Sequence, residues 1–315
     1  MSIAPEALVE TEITQTRPLS LFWARLRTDK IALVAFSFLV LVVVAAVLAG
    51  PITRLLAHPP NAQYPEALDP VFGTPTGPSR DFYFGVDTVG SDVFSRVLYG
   101  ARVSLLVAIV GTGIAMLIGT TLGILAGYYR GVVDTIISRT VDVMLAFPLL
   151  LLALGIGSAC SLGQGCAGGL IQPGLTTVIG IIVLFSWTYF ARLARGQVLS
   201  LREKEFIEAA RGTGAGDLSI LGREILPNLV TPVLVYLALV IPQNILLEAA
   251  LSYLGVGINP PQASWGQMIA EATPVFDSAW WYFVFPGVAL VLTVLAFNLV
   301  GEAVRDALDP HMSKA

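Results

Sequence analysis

Nine charged side chains crowd residues 202–224: Arg202, Glu203, Lys204, Glu205, Glu208, Arg211, Asp217, Arg223 and Glu224. Three glycines, Gly212, Gly214 and Gly216, punctuate them, and long apolar segments flank the whole stretch. Carboxylates and guanidiniums mixed at helical spacing suit polar docking, and Lys204, Glu208 and Arg211 share one helix face at i, i+4 and i+7. Pairing of Glu208 with Lys204 or Arg211 along its own helix is the simpler use of the same charges, worth only a few tenths of a kcal/mol. Catalysis has little to work with. The only histidines are His58 and His311, no His/Cys/Glu cluster suggests a metal, and no nucleophile stands with a base. The sequence also contains no G-x-x-x-x-G-K-[ST] phosphate cradle, so the chain is not expected to hydrolyse ATP by itself.

Three other groups invite a reading. Gly111, Ala115, Gly119, Gly123 and Gly127 recur every four residues, a small-residue stripe that lets a second helix approach closely. Cys160 and Cys166 sit in a glycine-rich, uncharged connection, 158–175, where a small disulfide loop and two free thiols both fit. Glu248 and Asp142 fall near the ends of apolar segments, and hydrogen-bonded helix-end carboxylates explain them more simply than a proton relay.

The surroundings of these residues are those of a membrane protein. Charged residues form 13% of the 315, against roughly 25% in soluble chains. Mean hydropathy is +0.77. Apolar segments at about 31–49, 101–127, 141–157, 176–191, 229–254 and 281–300 predict six transmembrane helices in an all-α fold. The first is too long for a typical signal-peptide core and is read as an uncleaved span. Fourteen of the 18 basic residues fall in the N-terminal tail, the second and fourth connections and the C-terminal tail. The positive-inside rule therefore places both termini and residues 203–227 in the cytoplasm. A net charge of -4 spread over loops argues against nucleic acid as a partner. The organisation is a cytoplasmic tail (1–30) and a membrane domain (31–315), with an extracytoplasmic loop at 50–100.

Two loops need helices of their own. Ser91 or Asp92 is predicted to cap a short interfacial helix presenting Val93, Phe94, Val97 and Leu98, before the chain enters the bilayer at Ala101. In the 203–227 loop, one helix gathers Phe206, Ile207 and Ala210 on one face. Asp217 is then expected to cap a second helix, which Pro227 ends before the fifth span.

Glu208-Ala209-Ala210, then Gly214, then Leu226-Pro227 resembles the EAA motif of the membrane subunits of ATP-binding-cassette importers, with Glu224 where isoleucine is frequent. GVDTVGSDVFSRVLYGARVSL, DVMLAFPLLLLAL, EAALSYLGVGINPPQASWGQM and FNLVGEAVRDALDP extend the resemblance over most of the chain, to the C-type permeases of dipeptide and oligopeptide importers. That resemblance implies a type I importer permease fold in a prokaryotic inner membrane and a non-catalytic role. Glu208, Ala209, Ala210, Gly214, Leu226 and Pro227 become the ATPase-coupling residues. Implied partners are a B-type permease, two cytoplasmic ATPase subunits that use ATP and Mg, an extracytoplasmic binding protein and membrane lipid. Implied cargo is peptide, with nickel or another small solute as the alternative. A secondary transporter is disfavoured by the scarcity of charge at mid-depth, and a membrane scaffold would leave the loop without a role.

Overall fold

The computed structural model describes residues 29–161, 165, 166, 169 and 171–308. The tail at 1–28 and the end of the chain from 309 lie outside the described residues. Regular structure among the described residues is helical: α1 (Lys30–Val47), α2 (Ala49–Leu56), α3 (Val93–Tyr129), α4 (Gly131–Ala146), α5 (Leu149–Ser161) and α6 (Leu175–Leu201) come first. They are followed by α7 (Glu205–Gly212), α8 (Leu226–Tyr253), α9 (Trp265–Ala272) and α10 (Trp280–Leu308). Helices α1, α3, α6, α8 and α10 are long and apolar enough to cross a bilayer; α4 with α5 makes a sixth candidate if a bent pair counts as one span.

The small-residue stripe sets the centre of the fold. A Cβ on Gly119 would sit 2.2 Å from the Trp187 carbonyl oxygen, and one on Gly123 2.4 Å from that of Ala191. At Gly127 it would lie 2.8 Å from Val198 Cβ, and at Gly111 2.8 Å from Ile182 Cγ2. Helices α3 and α6 thus touch backbone to backbone, with Ala115 fully buried between these glycines. Leu229, Val233 and Val240 of α8 complete this core with Phe190 and Val198 of α6. Outside it, Ala35 and Leu39 of α1 pack on Ala296 of α10.

Three expectations need correction. The third span is broken: α4 and α5 meet at 88°. Pro148 disfavours helical backbone at the residue before it, and Phe147 is extended at φ -86°, ψ 140°. The short interfacial helix at 91–98 is instead the start of α3, a continuous helix of 37 residues. Asp92 does cap it, accepting from the Phe94 N–H. Its first turns are covered by protein rather than by the membrane surface, since Val93 and Val97 pack with Ala263, Met268, Ala279 and Tyr282. A short amphipathic helix occurs earlier, in α2, which buries Ala49 and Thr53 and exposes Leu55 and Leu56. Pro227, finally, ends no helix. It lies in the first turn of α8, and residues 217–253 run as one helical rod through a wide π-type turn, Ile220–Ile225. Pro227 has no N–H to donate, and it stands where the wide turn gives way to the α-helix, directly after Leu226, whose N–H still reaches the Leu221 carbonyl.

Candidate functional site

The 203–227 loop is built on a buried isoleucine triad. Ile207, Ile220 and Ile225 are almost completely buried and pack with Tyr128, Val198 and Leu229, so the loop is fastened to the ends of α3, α6 and α8. Ala210 is partly buried beside them, while Phe206, expected on the same face, is exposed because α7 presents only a narrow apolar edge. Gly214 makes the bend between α7 and the rod at φ +82°, a left-handed conformation that favours glycine.

Polar contacts then orient the loop. Tyr128, at the end of α3, donates its hydroxyl to Asp217 Oδ1 at 2.7 Å, and its ring lies 5.8 Å below the Arg211 guanidinium. The expected cap is therefore reassigned: Gly216 occupies the N-cap position, and the Asp217 carboxylate is engaged by Tyr128. Arg202 donates to the Tyr128 carbonyl at 2.7 Å. Burial holds the Arg202 guanidinium below the usual arginine value, with Arg130 and Arg211 adding repulsion. Arg130 reaches Glu203 at 2.7 Å. Glu208 and Ala209 remain exposed on the outer side of α7, as do Gly214, Leu226 and Pro227 beyond it. Among the described residues Glu208 makes no salt bridge, so pairing with Lys204 or Arg211 does not account for it. Tyr128 was missed in the sequence, although it directly follows the last glycine of the stripe.

The far end of the molecule holds an ionic cluster that periodicity did not reveal. Arg96, near the start of α3, forms a buried ion pair with Asp87 and meets Glu271 Oε2 at 3.1 Å. Asp87 also accepts from the backbone N–H groups of Val89 and Ser91, at 3.0 and 2.8 Å. Glu271 accepts from the Tyr282 hydroxyl and, at 2.8 Å, from Gln267 Nε2. Loop 57–92, α3, α9 and α10 are thus joined at one point. Glu248 of α8 is fully buried, accepting from the hydroxyls of Ser104 at 2.7 Å and Ser252 at 2.8 Å. Asp142 of α4 meets Arg192 of α6 at 3.2 Å. Cys160 and Cys166 form a disulfide, with Cα atoms 4.9 Å apart.

Comparison with known proteins fits this arrangement. Residues 119–314 match the family model described as binding-protein-dependent transport system inner membrane component. Residues 17–72 match the N-terminal transmembrane domain of oligopeptide transport permease C. The chain is 44% identical over 236 residues to the glutathione transport system permease protein GsiD of Pectobacterium atrosepticum, covering 75% of each. It is 37% identical over 303 residues to the dipeptide transport system permease protein DppC of Alkalihalophilus pseudofirmus, covering 96% of this chain and 93% of the relative. The fold resembles a chain of the inward-facing MetNI methionine ABC transporter, with a TM-score of 0.54 at 19% identity, over 67% of this chain and 95% of the other.

Proposed function

Since the chain belongs to the binding-protein-dependent transport system inner membrane components, we propose that it is the C-type permease subunit of an importer for small peptides. In this reading the bent α4–α5 pair crosses the bilayer as one span, giving six spans with both termini in the cytoplasm. The chain pairs with a B-type permease and receives cargo from an extracytoplasmic binding protein. Two ATPase subunits, which hold the ATP and Mg, bind on the cytoplasmic side. The chain carries no cofactor and performs no catalysis of its own. Cargo is assigned from the relatives, whose names specify dipeptides and glutathione, both of them small peptides.

One observation carries the coupling assignment. Glu208 stands exposed, without a salt bridge among the described residues, on a loop that is fastened to α3 and continuous with α8. The carboxylate is left for a partner, and beyond the Gly214 bend residues 217–253 continue into the bundle as one helical rod. Closure of the ATPase pair pushes α7 and tilts α8 against α3, switching the central path between the two sides. Gly214 supplies the bend, and Leu226-Pro227 the entry into α8.

Glu208→Arg tests this in vesicles containing the complete assembly. Peptide uptake should fall sharply while the chain still inserts and co-purifies with the second permease. Unchanged uptake would refute the coupling role of Glu208.

A further inference from the structure

Between α4 and α6 lies a cavity of about 390 Å³, within the range that holds small ligands. Its charges come in two pairs of different character. Asp134 takes Arg195 through two contacts, 2.5 and 2.8 Å, and also accepts from the Ser138 hydroxyl at 3.0 Å. Asp142 and Arg192 share one contact of 3.2 Å, and their side chains are 56% and 59% exposed. Arg139 lines the same cavity and makes no salt bridge among the described residues.

Charge and exposure argue that water, not lipid, covers this face. Helices α4 and α6 extend past the apolar segments expected at 141–157 and 176–191, so Arg139 and Arg192, counted there with the cytoplasmic connections, lie within helices. Asp142 and Arg192 stand roughly 14–17 Å along them from Gly131 and Leu201, with both side chains more than half exposed. Charged groups on spanning helices face a bundle interior or a water-filled cavity.

We propose that this cavity is a subsite on the transport path that receives the two charged ends of a zwitterionic peptide. Asp142 takes the peptide ammonium, and Arg192 with Arg139 takes the carboxylate. The exposed Asp142–Arg192 pair is weak enough to exchange partners, whereas Asp134–Arg195 holds the two helices together. The proposal rests on the importer reading and supplies what that reading lacks, the residues that meet cargo.

The test places Ser138→Cys, and separately Thr135→Cys, in the assembled transporter in phosphatidylglycerol vesicles, with Cys160 and Cys166 left disulfide-bonded. A membrane-impermeant thiol reagent should modify both cysteines. Millimolar dialanine should slow the modification severalfold, while N-acetyl-dialanine amide, which has no charged ends, should not. Adding Arg192→Gln should abolish the protection. Unreactive cysteines in both variants, or equal effects of the two peptides, would overturn the site. Modification blocked by phosphatidylethanolamine in place of phosphatidylglycerol would assign the cavity to a lipid headgroup and overturn it as well. Dialanine uptake by the unsubstituted assembly is measured in parallel; its absence alongside intact protection would reject the importer reading rather than the site.

Discussion

The Tyr128 hydroxyl donates to Asp217 Oδ1 at 2.7 Å and so ties the last turn of α3 to the first turn of the rod that becomes α8. These residues lie 89 positions apart, and the bond spans the junction where the charged loop meets the bundle. Displacement of the Asp217 end of the rod must either stretch this bond or carry α3 along with it.

Tyr128→Phe removes the hydroxyl and leaves the ring beneath Arg211. A lost hydrogen bond of this kind is worth about 0.5–1.5 kcal/mol. The expected result is severalfold less uptake per ATP hydrolysed, with normal insertion, measured in reconstituted vesicles.

Leucine at Gly119 or Gly123 would press directly on the α6 backbone, where the first added carbon already falls within 2.4 Å of a carbonyl oxygen. Overpacking of this kind costs about 1–3 kcal/mol, and more where backbone must move. Each variant should lose thermal stability in detergent. Gly113→Leu is the control, since a Cβ there meets nothing within 4 Å and should leave the melting point nearly unchanged.

Arg96→Leu strips the counter-charge from buried Asp87, and Asp87→Leu leaves Arg96 with Glu271 as its one ion-pair partner among the described residues. Leaving one member of a buried pair unpaired costs about 3–5 kcal/mol. Either variant should show markedly faster proteolysis of loop 57–92, and the double variant should recover part of the loss. A double variant as unstable as the sum of the singles would show that the pair is not coupled.

Glu248→Gln keeps an acceptor oxygen for one of Ser104 and Ser252 and offers the other hydroxyl an N–H, whereas Glu248→Leu removes both acceptors. Leucine is expected to cost about 1–3 kcal/mol more than glutamine, read as the gap between their unfolding midpoints. Equal stability would mean that these hydroxyls find other acceptors.

Thiol labelling of the native chain under denaturing conditions should detect no free cysteine before reduction, and Cys160 and Cys166 after it. Equal labelling before and after would exclude the bridge.

The charged loop and its bend were legible in the sequence because their signals are local: charge density, i, i+4 spacing and a glycine at the bend. The expected end of the second helix at Pro227 was not met. Proline marks a helix boundary, and nothing local distinguishes a boundary that stops a helix from one at which a new turn begins. The short helix expected at 91–98 failed for a related reason. Its apolar face matched a membrane surface equally well, and only the positions of Ala263, Met268 and Tyr282 reveal that protein covers it.

Composition and periodicity, which are properties of neighbouring residues, by themselves determined that this chain is helical, that it lives in a membrane, and that one helix carries a stripe made for close contact. Which helix fills that stripe was a tertiary decision: α6, through the carbonyls of Trp187 and Ala191. The same holds for the partners of the buried charges. Arg96 meets Glu271 across 175 positions, and no sequence period links residues so far apart. Only the packing of apolar helices brings such charges together, because burial in a medium of low dielectric leaves each one stable only where an opposite charge or water can reach it.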